Sequence, residues 1–144
     1  MMVDGLVPAR FLVLAAHFVL TVSLTLSVEG NLASCLPLRS RTNAADWEAF
    51  REDRLWEFFG ALLLTYVGFG IELTAFFSGV TTFAQLPAAT SVCCHSCACA
   101  VLALFVWDEW SCRDYWWILA VGSALPALLD AWALVQGALF KKSN

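Results

Sequence analysis

Four long apolar runs restrict this chain to a membrane bundle. They cover about Val7–Val28, Leu55–Val80, Pro87–Trp107 and Tyr115–Phe140 of a 144-residue sequence. Each is about 20 residues or longer, enough at about 1.5 Å per residue to cross a hydrocarbon core of about 30 Å. That core offers no water to backbone N–H and C=O groups, so each run must satisfy its own as a helix. The sequence therefore predicts an all-α integral membrane protein. It is a single four-transmembrane-helix bundle over residues 1–144, with no room for a soluble domain. Apolar residues make up 60% of the chain and charged ones 14%, against about 45–50% and 25% in soluble domains. The net charge of −4 argues against nucleic acid as a partner, which needs a basic face.

Four spans put both termini on one face. The long connection Glu29–Arg54 and the short one Asp108–Asp114 lie on the other. The positive-inside rule counts Arg10, Lys141 and Lys142 on the terminal face against Arg39, Arg41, Arg51, Arg54 and Arg113 opposite. Taken literally, it places the termini outside. The cysteines argue the reverse. Cys35 and Cys112 share the loop face and can pair in an oxidising compartment. Cys93, Cys94, Cys97 and Cys99 start nearer the terminal face, where a reducing cytosol keeps thiols free. The final Lys141-Lys142-Ser143-Asn144 has the form of a cytosolic dilysine retrieval signal, or of a snorkelling anchor. The expectation is a cytosolic terminal face.

Six of the seven tryptophans, Trp47, Trp56, Trp107, Trp110, Trp116 and Trp117, fall near the loop face. Indole rings favour the headgroup level, and an anchoring belt accounts for them. Asn43 with Asp46 reads as a helix start. The mixed stretch Trp47–Phe59 then predicts a short amphipathic helix in the first loop, running into the second span. Trp47, Phe50, Trp56, Trp110 and Trp116 are the partner-surface residues this reading nominates. Membrane anchoring is the competing account of the same side chains.

Each span holds one interior ionisable residue: His17, Glu72, His95 and Asp130. Counted along alternating helices, all four fall roughly 12–15 Å from the terminal face. This predicts one buried polar layer. Such residues are costly in lipid and turn toward the bundle interior. There they either hydrogen-bond helix to helix or form a relay in a small proton- or metal-coupled transporter. Transporters usually need broken helices, and only Pro126 offers a break. Gly60, Gly68 and Gly70 in the second span, and Ser123, Ala127 and Ala131 in the fourth, predict close helix packing. Cys94 and Cys97 form a C-x-x-C pair around His95, open to packing, lipidation, redox or weak metal-ligand readings. No soluble-enzyme motif is present. Neither an enzyme, a cofactor nor a small-molecule substrate is therefore expected.

Several stretches together resemble the transmembrane protein 107 family. They are Gly5–Phe11 leading to His17; Cys35-Leu36-Pro37-Leu38; Glu72–Val80; His95; Trp110-Ser111-Cys112 with Tyr115-Trp116; and Ser123-Ala124-Leu125-Pro126. The resemblance implies a non-enzymatic scaffold of the ciliary transition zone. Such a protein would help build the diffusion barrier at the base of the cilium. It would recruit other proteins of the Meckel and Joubert syndrome membrane module. The family's loop cysteines match Cys35 and Cys112, in keeping with a disulfide. Its buried ionisable residues match His17, Glu72, His95 and, with Asp in place of Glu, Asp130. Two features depart from the family pattern: a longer, Arg- and Trp-rich segment between Leu38 and Glu72, and the dense cysteines of the third span.

Overall fold

A computed structural model describes residues 3–33, 43–82 and 84–143. Among these, four helices are long and apolar enough to cross a membrane. The first, α1 (Val3–Leu26), is followed across Ser27 by a short α2 (Val28–Ala33). The second span belongs to α3 (Ala44–Phe77), and the third is α4 (Gln85–Trp107). The fourth is built in pieces: a 3-10 turn at Cys112–Asp114, α5 (Tyr115–Leu119), a π-helical segment at Ala120–Ala124, and α6 (Leu125–Ser143).

The amphipathic stretch of the first loop is helical and runs directly into the second span. It is the first part of α3, whose 34 residues extend about 50 Å, well beyond a hydrocarbon core. Asn43 is its N-cap, with extended backbone but no side-chain capping bond. Its amide instead reaches Asp46, Nδ2 to Oδ2 at 3.4 Å. Arg51 on α3 pairs with Glu29 on α2 at 2.6 Å, so α2 and α3 meet through an interfacial ion pair. The second span was expected to run to Val80. The helix instead stops at Phe77, because Gly79 takes the left-handed conformation (φ 77°) that glycine adopts without steric cost. Its N–H then caps the carbonyl of Phe76 at 3.2 Å.

The π segment has a local cause. Proline has no N–H and clashes with the carbonyl four residues back. For Pro126 that carbonyl is Gly122. The chain widens one turn instead, and Leu125 N–H bonds Ala120 O five residues back, the usual form of a π-bulge.

α1 packs chiefly on α4, and α3 on α6, with α1–α3 and α4–α6 contacts closing the bundle. Arg10 reaches Thr81 in the α3–α4 turn, and Gly137 on α6 faces Val80. The start of α1, that turn and the end of α6 therefore share one end of the bundle. The interior is divided. Toward the loop end it is apolar, with Leu24, Phe58, Leu62, Leu102, Phe105 and Tyr115 in one cluster. Toward the terminal end it is polar. The outer surface carries large apolar side chains such as Leu12, Leu63, Leu86 and Leu128, each more than half exposed. An apolar exterior around a polar half-core is the arrangement expected in lipid.

Close approach depends on fewer glycines than the sequence advertised. Gly68 lies against Ser123 and Ala127, but Gly60 and Gly70 face open space. The tightest contact is at Gly122 in the π segment. A Cβ there would sit 2.7 Å from Ala98 Cβ and 3.5 Å from His17 Cε1.

Candidate functional site

The four ionisable residues of the spans are all buried, none more than 1% exposed. They form two connected groups rather than one level layer. In the deeper group, His95 on α4 lies between Glu72 on α3 and His17 on α1. His95 Nε2 is 2.8 Å from Glu72 Oε2, and the two Nδ1 atoms of His95 and His17 are 2.8 Å apart. Ser91 Oγ donates to the same Glu72 oxygen at 3.2 Å. Phe69 seals the group, meeting His17 edge-on at 5.0 Å and stacking on His95 at 6.1 Å.

Glu72 Oε2 meets both Ser91 Oγ and His95 Nε2, whereas Oε1 has no partner. One proton lies between Glu72 Oε2 and His95 Nε2 and another between the two Nδ1 atoms, since each such pair needs one donor and one acceptor. Three helices are thus joined by an unbroken run of side-chain hydrogen bonds.

Asp130 belongs to the second group, and its partner is Arg10. The Arg10 guanidinium forms an ion pair with Asp130 through Nη2. Through Nη1 it donates to Thr81, to Oγ1 at 3.1 Å and to the carbonyl at 3.3 Å. Arg10 is seven residues before His17 on α1, about 10 Å nearer the terminal end. This corrects the charge count. Arg10 had been tallied as a flanking charge of the terminal face, but it is 1% exposed inside the bundle. Sequence reasoning missed it as a site residue. The available signal was an arginine already inside the first apolar run, opposite an acid in the fourth. Arg10 Nε and Glu72 Oε1 are each buried without a partner.

The other nominated residues are dispersed. Trp47 and Trp110 are half-buried, whereas Phe50, Trp56 and Trp116 are exposed. Arg54 lies 5.0 Å over the Phe50 ring. Cys112 is buried and disulfide-bonded; its expected partner, Cys35, lies outside the described residues. Cys93, Cys94, Cys97 and Cys99 are free thiols, with Cys94 buried and Cys97 exposed. Among the described residues no group of three or more His, Cys, Asp or Glu side chains could hold a metal ion. The arrangement can lock helices together and hold protons.

Comparison with known proteins gives a family. The TMEM107 family model, described as a transmembrane protein, matches residues 6–134. Transmembrane protein 107 of Rattus norvegicus is 38% identical over 128 residues, covering 89% of this chain and 87% of the relative. The Danio rerio protein is 38% identical over 132 residues, covering 92% and 93%. The Homo sapiens protein is 36% identical over 128 residues, covering 89% and 87%. No solved structure matches the chain.

Proposed function

Since this chain belongs to the transmembrane protein 107 family, we propose that it is a non-enzymatic scaffold of the ciliary transition-zone membrane. In this reading it helps assemble the diffusion barrier that controls ciliary membrane composition, and it recruits other transition-zone membrane-module proteins. The observation that carries it is the family match across most of the chain. The fold fits the role. A scaffold needs a bundle of fixed shape, and buried hydrogen bonds and an ion pair joining all four spans give each helix a defined rotation. In this reading the partner surface is the loop end, and the exposure of Phe50, Trp56 and Trp116 there supports it.

The terminal end faces the cytosol, and Cys35 is the disulfide partner of Cys112 on the oxidising side. The test is the position of a tagged copy in ciliated cells, imaged against basal-body and axoneme markers. A narrow ring between the two is expected. A signal spread over the endoplasmic reticulum or plasma membrane without enrichment there refutes the placement.

The Glu72–His95–His17 run favours one second reading, a proton-coupled transporter, because carboxylates and imidazoles are the usual relay groups. Reconstituted vesicles separate the two. A pH-dependent flux abolished by His95→Ala supports transport, and no flux above empty liposomes supports the scaffold.

A further inference from the structure

We propose that the centre of the bundle binds one fixed water molecule, which bridges Arg10 Nε to Glu72 Oε1 and joins the two polar groups into a single four-helix lock. Both atoms are buried without a partner, on side chains no more than 1% exposed. Their hydrogen-bonding roles are opposite. A guanidinium Nε only donates. Glu72 Oε1 accepts whether the shared proton rests on Glu72 Oε2 or on His95 Nε2. Each has given up its bonds to solvent on burial, a cost that a bridging molecule restores.

The packing brings the two atoms together. Around the bundle the neighbours are α1–α4, α4–α6, α6–α3 and α3–α1, so α1–α6 and α3–α4 are its diagonals. The Arg10–Asp130 ion pair spans the first diagonal, and the Glu72–His95 bond spans the second. A side-chain bridge along a diagonal passes through the bundle axis. The heights agree as well. α3 and α6 run the same way; Gly68 lies against Ser123 and Ala127, and Gly137 against Val80. Both contacts put Asp130 within about two residues of Glu72 in height, roughly 3 Å. The two bridges therefore cross close together on the axis, with no direct bond between Arg10 Nε and Glu72 Oε1.

The chemistry selects the occupant. A cation at this point would meet the Arg10 guanidinium, and an anion would meet the Asp130 carboxylate. A neutral molecule that both accepts and donates is required. A water accepting from Nε and donating to Oε1 spans about 5 Å through two ordinary hydrogen bonds, and two polar partners are enough to hold it. Hydrogen bonds then run unbroken from Thr81 at the terminal end, through Arg10 and Glu72, to His95 and His17. Ser123 Oγ is also buried without a partner. It precedes Asp130 by seven residues, about 10 Å along the axis, and lies outside the bridge.

The test is magnetic resonance of the isotope-labelled full-length protein in lipid bilayers. Dipolar transfer is read from water to the Arg10 Nε proton, and its sign separates it from chemical exchange. A cross-peak is expected. Glu72→Gln keeps a polar atom at the Oε1 position and should retain it, whereas Glu72→Leu removes the acceptor and should abolish it. If Glu72→Leu does not fold, the unaltered protein decides alone. Absence of dipolar transfer to Arg10 overturns the bridge. So does a nitrogen–carbon coupling that puts Arg10 Nε in direct contact with the Glu72 carboxyl group. A peak undiminished in Glu72→Leu overturns Glu72 as the acceptor. None of these outcomes depends on where the protein resides in the cell.

Discussion

Removing Asp130 should cost this bundle far more than removing Asp130 and Arg10 together. In Asp130→Leu the Arg10 guanidinium stays buried, with only Thr81 to receive its hydrogen bonds. Breaking a buried ion pair from one side costs about 3–5 kcal/mol, and insertion scales give a similar about 2.5–3.5 kcal/mol for arginine at a helix centre. A loss of about 3 kcal/mol is expected, a factor of roughly 150 in the folding equilibrium. Arg10→Met keeps most of the side-chain stem but leaves Asp130 buried without its ionic partner. Its cost should be similar or larger. The double variant replaces both charges by apolar groups, an exchange that is often neutral or stabilising. It should lie within about 1 kcal/mol of the unaltered protein, so the single costs fail to add. The assay is equilibrium unfolding by sodium dodecyl sulfate in mixed lipid–detergent micelles, followed by tryptophan emission. A cost under about 1 kcal/mol for Asp130→Leu, with additive effects in the double variant, would refute the ion pair as a structural element.

Further substitutions have defined outcomes in the same structure. Gly122→Ala puts a methyl group 2.7 Å from Ala98 Cβ and should cost about 1–3 kcal/mol by overpacking. Gly70→Ala, facing open space, should stabilise α3 by up to about 1 kcal/mol; the same unfolding assay reads both. Glu72→Leu leaves His95 Nε2 and Ser91 Oγ without their partner. It should lower the amount of folded protein recovered from membranes and the recovery of partners, and normal levels of both would count against the glue role. Cys112→Ser should cost about 2–5 kcal/mol and slow the mobility of the protein on non-reducing gels. Cys35→Ser should reproduce both effects if those two cysteines are paired, and a different partner would leave Cys35→Ser silent.

The class and the number of spans were legible because they rest on length and apolarity alone, which any window of sequence displays. Helix boundaries were legible where the signal was local. Asn43 sits at the start of α3 as its residue type predicts, and Pro126 marks an irregular turn. The break after Phe77 was missed because apolar residues continue through Val80, and only the backbone of Gly79 reveals the stop. His17, Glu72, His95 and Asp130 were legible as buried, since a charge in an apolar run must turn inward in lipid.

Their partners were not legible. Counting residues gives depth along a helix but not rotation about it, so four groups at similar depth read as one layer. Only packing shows that His95 bridges Glu72 and His17 while Asp130 turns to Arg10. Arg10 itself read as a flanking charge, because a long side chain near a helix end ordinarily snorkels to the interface. That Gly122 rather than Gly60 or Gly70 sits at the closest contact likewise depends on which helix faces which. Apolar length drives insertion and is a property of each segment alone. Pairing is set by how four helices rotate against one another, and that follows from the sum of their contacts.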